Sequence, residues 1–470
     1  MIEFEPVIGL EVHVQLATKT KIFCRCPNAF GAEPNTYVCP VCTAMPGALP
    51  VLNREVLMLG MRTALALGCS INNENIFERK NYFYPDSPKA YQISQLAKPI
   101  GYQGSIDLGY KKVRVNRAHL EEDAGKLVHR DDASFVDLNR CGAPLLEIVS
   151  EPDIFSPQEA YDYLTALKLL VQYAGGSSCD MEKGFLRCDA NISLREKGTS
   201  GLGTKTEIKN LNSFKAVREA LEFEIKRQNK VLIDGGRIVQ ETRLWDEEKR
   251  KTLVMRSKEE AHDYRYFPEP DLVMYVIDQA QIDRTGSELP EMPRSKEQRF
   301  MSSYALSEQD ARVLVSSKAI ADYFESALEI YNNPKKICNW MTGPLFEFTA
   351  SIGGFDELKL QAESFAGLVE AVETGKINNL AAKDILRDML DGTKTCYELI
   401  TEKGLGQVNC EDELAGFVEE TLARNPKAVE EYLAGKEKSL MFLVGQVMKK
   451  SRGRANPKIL QELFIQRIRS

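Results

Sequence analysis

The stretch Ile8–Leu16, IGLEVHVQL, alternates without a break. Ile8, Leu10, Val12, Val14 and Leu16 fall on one side; Gly9, Glu11, His13 and Gln15 fall on the other. A period of two over nine residues predicts a half-buried β-strand. The pattern returns in FLRCDANISLRE, where Leu186, Cys188, Ala190, Ile192 and Leu194 oppose Arg187, Asp189, Asn191, Ser193 and Arg195. A Gly/Ser-rich turn follows, then TKTEIKN with Lys205, Glu207 and Lys209 on one side, which predicts an antiparallel hairpin. Its outward face carries charges of both signs. That face is either a binding surface or a solvated one laced with cross-strand ion pairs.

Helical signals are placed between these strands. SPQEAYDYLTALKLLVQYAGG predicts a capping box from Ser156 to Glu159, Pro157 at the first helical position and a stop at Gly175. Antiparallel hairpins with interspersed helices predict an α+β fold rather than alternating βαβ units. Three regions follow from the patterning: 1–290 mixed, 295–404 helical, and 405–470 helical with a basic end. Arg284–Arg299, with two prolines and mixed charges, reads as a linker. There is neither a Walker-type glycine loop nor a GxGxxG, so any nucleotide is held by another route.

The chain's net charge is −7, which excludes a generally basic nucleic-acid-binding surface. Yet residues 436–470 hold nine Lys/Arg against two Asp/Glu. A basic end on an acidic body suggests one local anionic partner, or else a solvated helical face. No signal peptide and no membrane-spanning run is visible, and seven of the eleven cysteines are scattered singly. These features predict a cytoplasmic protein in a reducing compartment.

Four patterns carry chemistry. Cys24-x-Cys26 and Cys39-x2-Cys42 match a closed four-thiolate Zn²⁺ site, which is structural because it leaves no open position; the alternative is free buried thiols. Glu11 and His13 project the same way, roughly 7 Å apart, and can share a divalent cation with acids from HLEEDAGK (Glu121, Glu122, Asp123) or EIVSEPD (Glu147, Glu151, Asp153). ERKNYFYPDSPKAYQISQ packs Arg79, Lys80, Lys89, prolines and tyrosines into a non-periodic loop suited to phosphate and polar-substrate recognition. VMKKSRGRANPK places Lys449, Lys450, Arg452 and Arg454 together, as phosphate-backbone contact requires.

Together these motifs, with DLNRCGAPLLEIVSEPD, GTKTEIKNLNSF and DYRYFPEPDL, resemble the B subunit of aspartyl/glutamyl-tRNA amidotransferase along nearly the whole chain. The resemblance implies a glutamine-synthetase-like cradle of mainly antiparallel sheet, followed by two all-α domains, the last a tRNA-binding tail of YqeY-like type. It implies a ligase working with an amidase A subunit and a C subunit. ATP and Mg²⁺ would phosphorylate the side-chain carboxylate of Glu or Asp on mischarged tRNA(Gln) or tRNA(Asn), and ammonia from the A subunit would give the amide. By motif matching, Glu11, His13, Glu122 and Glu151 become Mg²⁺ ligands, with Lys80, Glu122 and His13 catalytic. Tyr82, Tyr84, Lys89, Arg187, Asp189, Lys205 and Glu207 line the ATP and substrate cradle. Cys24, Cys26, Cys39 and Cys42 hold the structural zinc that many members carry, and Lys449, Lys450, Arg452 and Arg454 meet tRNA. A stand-alone ligase acting on a free amino acid would have no use for the basic tail. A pure tRNA-binding scaffold would have no use for acids around His13, since carboxylates repel phosphate unless a metal intervenes.

Overall fold

The structure is a computed structural model that describes residues 3–257, 264–405, 411–451, 455 and 457–469. It divides into two units, Met1–Ser295 and Lys296–Ser470. In the first unit the strands are β1 (Phe4–Gln15), β2 (Ser70–Ile71), β3 (Glu74–Asn75), β4 (Glu78–Asn81), β5 (Tyr91–Ser94), β6 (Gly101–Asp107), β7 (Lys112–Glu122), β8 (Lys126–Arg130), β9 (Ala133–Asp137), β10 (Pro144–Ser150), β11 (Leu186–Glu196), β12 (Thr206–Leu211), β13 (Glu241–Asp246), β14 (Lys251–Ser257), β15 (Phe267–Pro268) and β16 (Tyr275–Val276). Nine of them form one sheet in the order β14-β13-β12-β11-β1-β10-β7-β6-β2. The β12–β13 pair is parallel; the other neighbours run antiparallel.

The alternation of β1 has the expected consequence. Ile8, Leu10, Val12 and Val14 are at most 1% exposed and pack with Leu146, Ile148, Ala118, Leu120, Ala190 and Ile192 of neighbouring strands. Three helices, α1 (Arg54–Ala66), α2 (Pro157–Tyr173) and α3 (Phe214–Ile233), contribute their apolar sides to the same core. Each large apolar side chain buried there contributes about 1.5–3 kcal/mol. The opposite side of the sheet is polar. Register lines up Arg187 with His13, His13 with Glu147, and Glu147 with His119. One row across β11, β1, β10 and β7 therefore carries four ionisable side chains.

Two local readings change. Ser156 caps α2 as expected, accepting from the Glu159 N–H at 3.1 Å. The Glu159 carboxylate does not close the capping box on Ser156. It accepts instead from the Phe155 N–H at 2.9 Å and pairs with Lys111 at 2.7 Å, a cation that the sequence pattern does not place beside it. The stretch Arg284–Arg299 is not an irregular linker throughout: helix Gln279–Ser287 ends within it and helix Pro293–Tyr304 begins within it. Only 288–292 is non-helical, and Pro293 opens the following helix, where a missing N–H costs nothing.

The second unit is helical among its described residues. Its buried apolar residues fall into two clusters, one from Phe300 to Leu399 and one from Leu414 to Phe464. No described helix is long and apolar enough to cross a membrane.

Ile148 is fully buried on the apolar side of β10, next to Glu147. Ile148→Ala should lower the unfolding free energy by roughly 2–5 kcal/mol, read from urea denaturation of the first unit. A change below about 1 kcal/mol would show that the helices do not pack this face tightly.

Candidate active site

On the polar side of the sheet, backbone geometry brings His13, Glu121 and Glu147 to one point, with ligand-capable atoms within 4.8 Å of one another. His13 Nε2 lies 3.4 Å from Glu121 and 3.3 Å from Glu147. His119 Nε2 lies 3.6 Å and 3.1 Å from the same acids. Burial opposes a charge on the His13 ring, but Glu147 and Glu121 outweigh it and push the ring up to about 10. His119 is raised by the same balance. Burial also opposes ionisation of the acids. Hydrogen bonds from His119 and His13 hold Glu121, and the charge on both rings holds Glu147, well below the ordinary carboxylate range. The His119 Nδ1 is buried with no hydrogen-bond partner among the described residues.

Lys80, on β4, points into the same place. Burial alone would lower its ammonium; Glu121, Tyr266 and Glu147 raise it instead. Lys80 sits 5.2 Å from the Tyr264 ring centre. A cavity of about 460 Å³ includes His13, Lys80, Tyr82, Lys89, Arg187 and Asp189 in its wall. Its floor is tied together by charge. Arg187 reaches Asp123 at 2.7 Å and Lys209 reaches Asp189 at 2.5 Å. Lys209 also reaches Glu207 at 3.2 Å, and Glu207 accepts from Thr242 at 2.8 Å. The mixed-sign strand face is thus both a cavity wall and a cross-strand ion-pair ladder.

The structure brings only part of the ligand set expected from sequence to this point. Glu11 shares the face of His13, but its carboxylate accepts from Asn191 at 2.8 Å and lines an adjoining recess that it shares with Lys80, His119, Glu147, Lys205 and Glu207. Glu122 is one residue beyond Glu121, and that step turns it to Lys89 at 2.5 Å and the Ile93 N–H at 3.0 Å. Glu151 lies past a register shift at Val149/Ser150 and accepts from Asn116 at 2.7 Å. Glu121 and Glu147 take the places beside His13, and His119 joins them. The signals were present. Glu147 is the one charge in the strand PLLEIVS, and His119 stands two residues before Glu121, as Glu11 does before His13.

Tyr82 and Tyr84 stack at 5.7 Å. Lys205 is exposed. In the second unit Lys449 is exposed, while Lys450 pairs with Glu420 and lies 5.7 Å from the Phe417 ring. Arg452 and Arg454 lie outside the described residues.

The four cysteines Cys24, Cys26, Cys39 and Cys42 form a second cluster whose sulfurs lie within 4.8 Å of one another. The Cys39 N–H donates to Cys42 Sγ at 3.2 Å, and buried Lys21 places its ammonium 3.7 Å from the same sulfur. A hydrogen bond from Cys24, with help from Cys39 and Lys21, brings Cys42 down to about 4, although burial opposes this. Burial and neighbouring sulfurs push Cys26 up to about 11. The knuckle is bound to the site by backbone: the Ile22 N–H donates to Gly142 O at 3.0 Å, and the Gly142 N–H donates to Asp123 O at 2.9 Å. Gly142 has φ +81°, so the turn joining them favours glycine.

The family described as GatB/GatE catalytic domain matches residues 6–283. A family described as GatB domain matches 322–468. The B subunit of the aspartyl/glutamyl-tRNA(Asn/Gln) amidotransferase of Carboxydothermus hydrogenoformans is 50% identical, covering 99% of this chain and 98% of that protein. The B subunits of the same name from Persephonella marina and Geobacillus kaustophilus are 50% and 49% identical, each over at least 98% of both chains. The chain belongs to the family of aspartyl/glutamyl-tRNA(Asn/Gln) amidotransferase B subunits.

Proposed function

We propose that this chain is the ATP-using subunit of a glutamine-dependent tRNA amidotransferase, working with A and C subunits on Glu-tRNA(Gln) or Asp-tRNA(Asn). The observation that carries the reading is the pair of buried acids held ionised beside His13: Glu121 in the wall of the cavity and Glu147 in that of the adjoining recess, with Lys80 lining both. The donor set fits a divalent cation: two carboxylates and an imidazole converge, with ligand-capable atoms within 4.8 Å of one another. Mg²⁺ bound to His13, Glu121 and Glu147 would supply charge neutralisation for ATP phosphates. Lys80 stays charged and offers its ammonium to the transferring phosphoryl group, where charge stabilisation is the main catalytic need. Arg187, steadied by Asp123, presents a cation to the carboxylate that is to be activated. Phosphorylation turns a poor electrophile into one from which ammonia displaces phosphate. The four cysteines hold structural Zn²⁺, and the knuckle supports the loop that carries Gly142 and the backbone of Asp123. The basic stretch from Lys449 to Arg454 meets tRNA phosphates.

In the assembled complex, Glu121→Gln or Glu147→Gln should lower kcat for ATP-dependent transamidation by about 10²–10³-fold, while Glu151→Gln changes it only a few-fold. Equal losses for all three would show that the acids act through the fold and not through a shared cation.

Metal binding carries a pH signature. His13 must lose its proton to ligate, and it holds that proton up to about 10 in the metal-free chain. Divalent affinity should therefore climb as pH rises from about 7 to 9, with proton release seen calorimetrically in buffers of different ionisation enthalpy. The stability sign is opposite. The raised His13 contributes stability that is complete below about 6.5 and lost as pH climbs through about 10. The lowered acids contribute stability that is present above 4.5 and lost well below it. A pH-independent affinity would remove His13 from the ligand set.

Freshly purified, reduced protein should contain about one zinc per chain by elemental analysis. Cys39→Ser should lower the melting temperature more than it lowers the activity of the molecules that stay folded. Zinc-free protein with an unchanged melt would reduce the knuckle to four ordinary thiols.

A further inference from the structure

Tyr82, Phe83 and Tyr84 lie in the loop between β4 and β5, and they are 42%, 91% and 46% exposed. Three consecutive aromatic rings so poorly covered contribute little to a core. The loop that carries them is nonetheless well built. The Tyr82 N–H donates to Ala90 O at 3.0 Å, the Ser87 N–H to Tyr84 O at 3.0 Å, and the Gly125 N–H to Asp86 O at 2.8 Å. Pro85 and Pro88 restrict the backbone further. The rings are held out by structure and not by slack.

Their order in space matters. Lys80 and Tyr82 both line the cavity. Tyr84 stacks on Tyr82 at 5.7 Å with 26° between the planes, and Tyr264 meets the edge of Tyr82 at 6.4 Å. Neither Phe83 nor Tyr84 is part of the cavity wall. The Tyr82–Tyr84 stack thus begins at the cavity wall and continues outside it, and Phe83, between them in sequence, presents a separate exposed ring. A small nucleotide is mostly buried in its pocket and would leave the outer rings idle. A polymer whose reactive end enters a cavity must leave its preceding nucleotides at the lip, with unpaired bases that need a surface to stack on.

We propose that Tyr82, Phe83 and Tyr84 are a stacking platform for the unpaired 3′-terminal nucleotides of the aminoacylated RNA, placing the attached carboxylate between Lys80 and Arg187. This rests on the reading above that the substrate carboxylate is carried by tRNA. The recognition is by the faces of unstacked bases and tolerates any sequence, so it sets position and leaves identity to other contacts.

The test uses the complex of all three subunits and a mischarged tRNA whose 3′-terminal adenine is replaced by 2-aminopurine. Binding should quench the 2-aminopurine fluorescence, and Phe83→Ala or Tyr84→Ala should remove much of the quench. Each substitution should raise the KM for mischarged tRNA about 5- to 150-fold, with the KM for ATP and the melting temperature unchanged. Phe83→Trp should restore both quench and KM. A rise in the KM for ATP alone would overturn the proposal and give the rings to the adenine of ATP. Unchanged quench and KM in both alanine variants of an active complex would overturn it outright. A wild-type complex that amidates no tRNA-borne carboxylate would overturn the substrate reading itself, and this proposal with it.

Discussion

Two carboxylates buried side by side repel each other, and the polar side of the sheet is organised around that repulsion. Glu121 and Glu147 are 2% and 7% exposed. Water cannot screen them, so their charge must be met by neighbours or by an ion. His13, His119 and Lys80 converge on them from three strands. A cation entering the site would take over part of this work and free His13 of its proton. The ion-pair ladder from Arg187 through Asp123, and from Lys209 through Asp189 and Glu207, extends the same logic to the cavity floor. Each charge in this ladder has an opposite neighbour, and substrate binding would exchange partners without baring any of them.

The fold was legible where one periodicity ruled a segment. Ile8–Leu16 and Leu186–Leu194 each divide cleanly into an apolar and a polar set, and both are strands with those faces. The helix at Pro157 begins where Ser156 and the proline after it place it. The ligand set was harder. Glu121 and Glu122 are adjacent in sequence, and only pairing register decides which one faces His13. Register is a long-range property: Glu147 meets His13 because β10 and β1 pair across a long separation in sequence. A local pattern holds the alternation but not its phase against a distant strand. The shift at Val149/Ser150, which carries Glu151 out of line, has no sequence signal that a single chain makes readable.

The cysteine knuckle shows a different division. Its spacing was readable, and its four sulfurs do converge. What spacing could not show is its attachment. Buried Lys21 joins a sulfur to the Tyr37 carbonyl, and Gly142 joins the same segment to the backbone of Asp123. The Asp123 side chain in turn holds the Arg187 guanidinium. The knuckle therefore fixes a turn beneath the cavity floor.

The central position of β1 has a consequence for how the chain is made. The strand nearest the N-terminus pairs with β10 on one side and β11 on the other, and its register with β11 runs from Phe4↔Glu196 to Val14↔Leu186. At ordinary synthesis speeds, close to two hundred residues take on the order of 10–40 s to emerge. Until β10 (Pro144–Ser150) emerges, Ile8, Leu10, Val12 and Val14 have no strand partner, and until β11 emerges they have one on a single side only. The middle of the sheet is born first and completed late, so the nascent chain carries an unpaired apolar strand that must be shielded until both neighbours arrive.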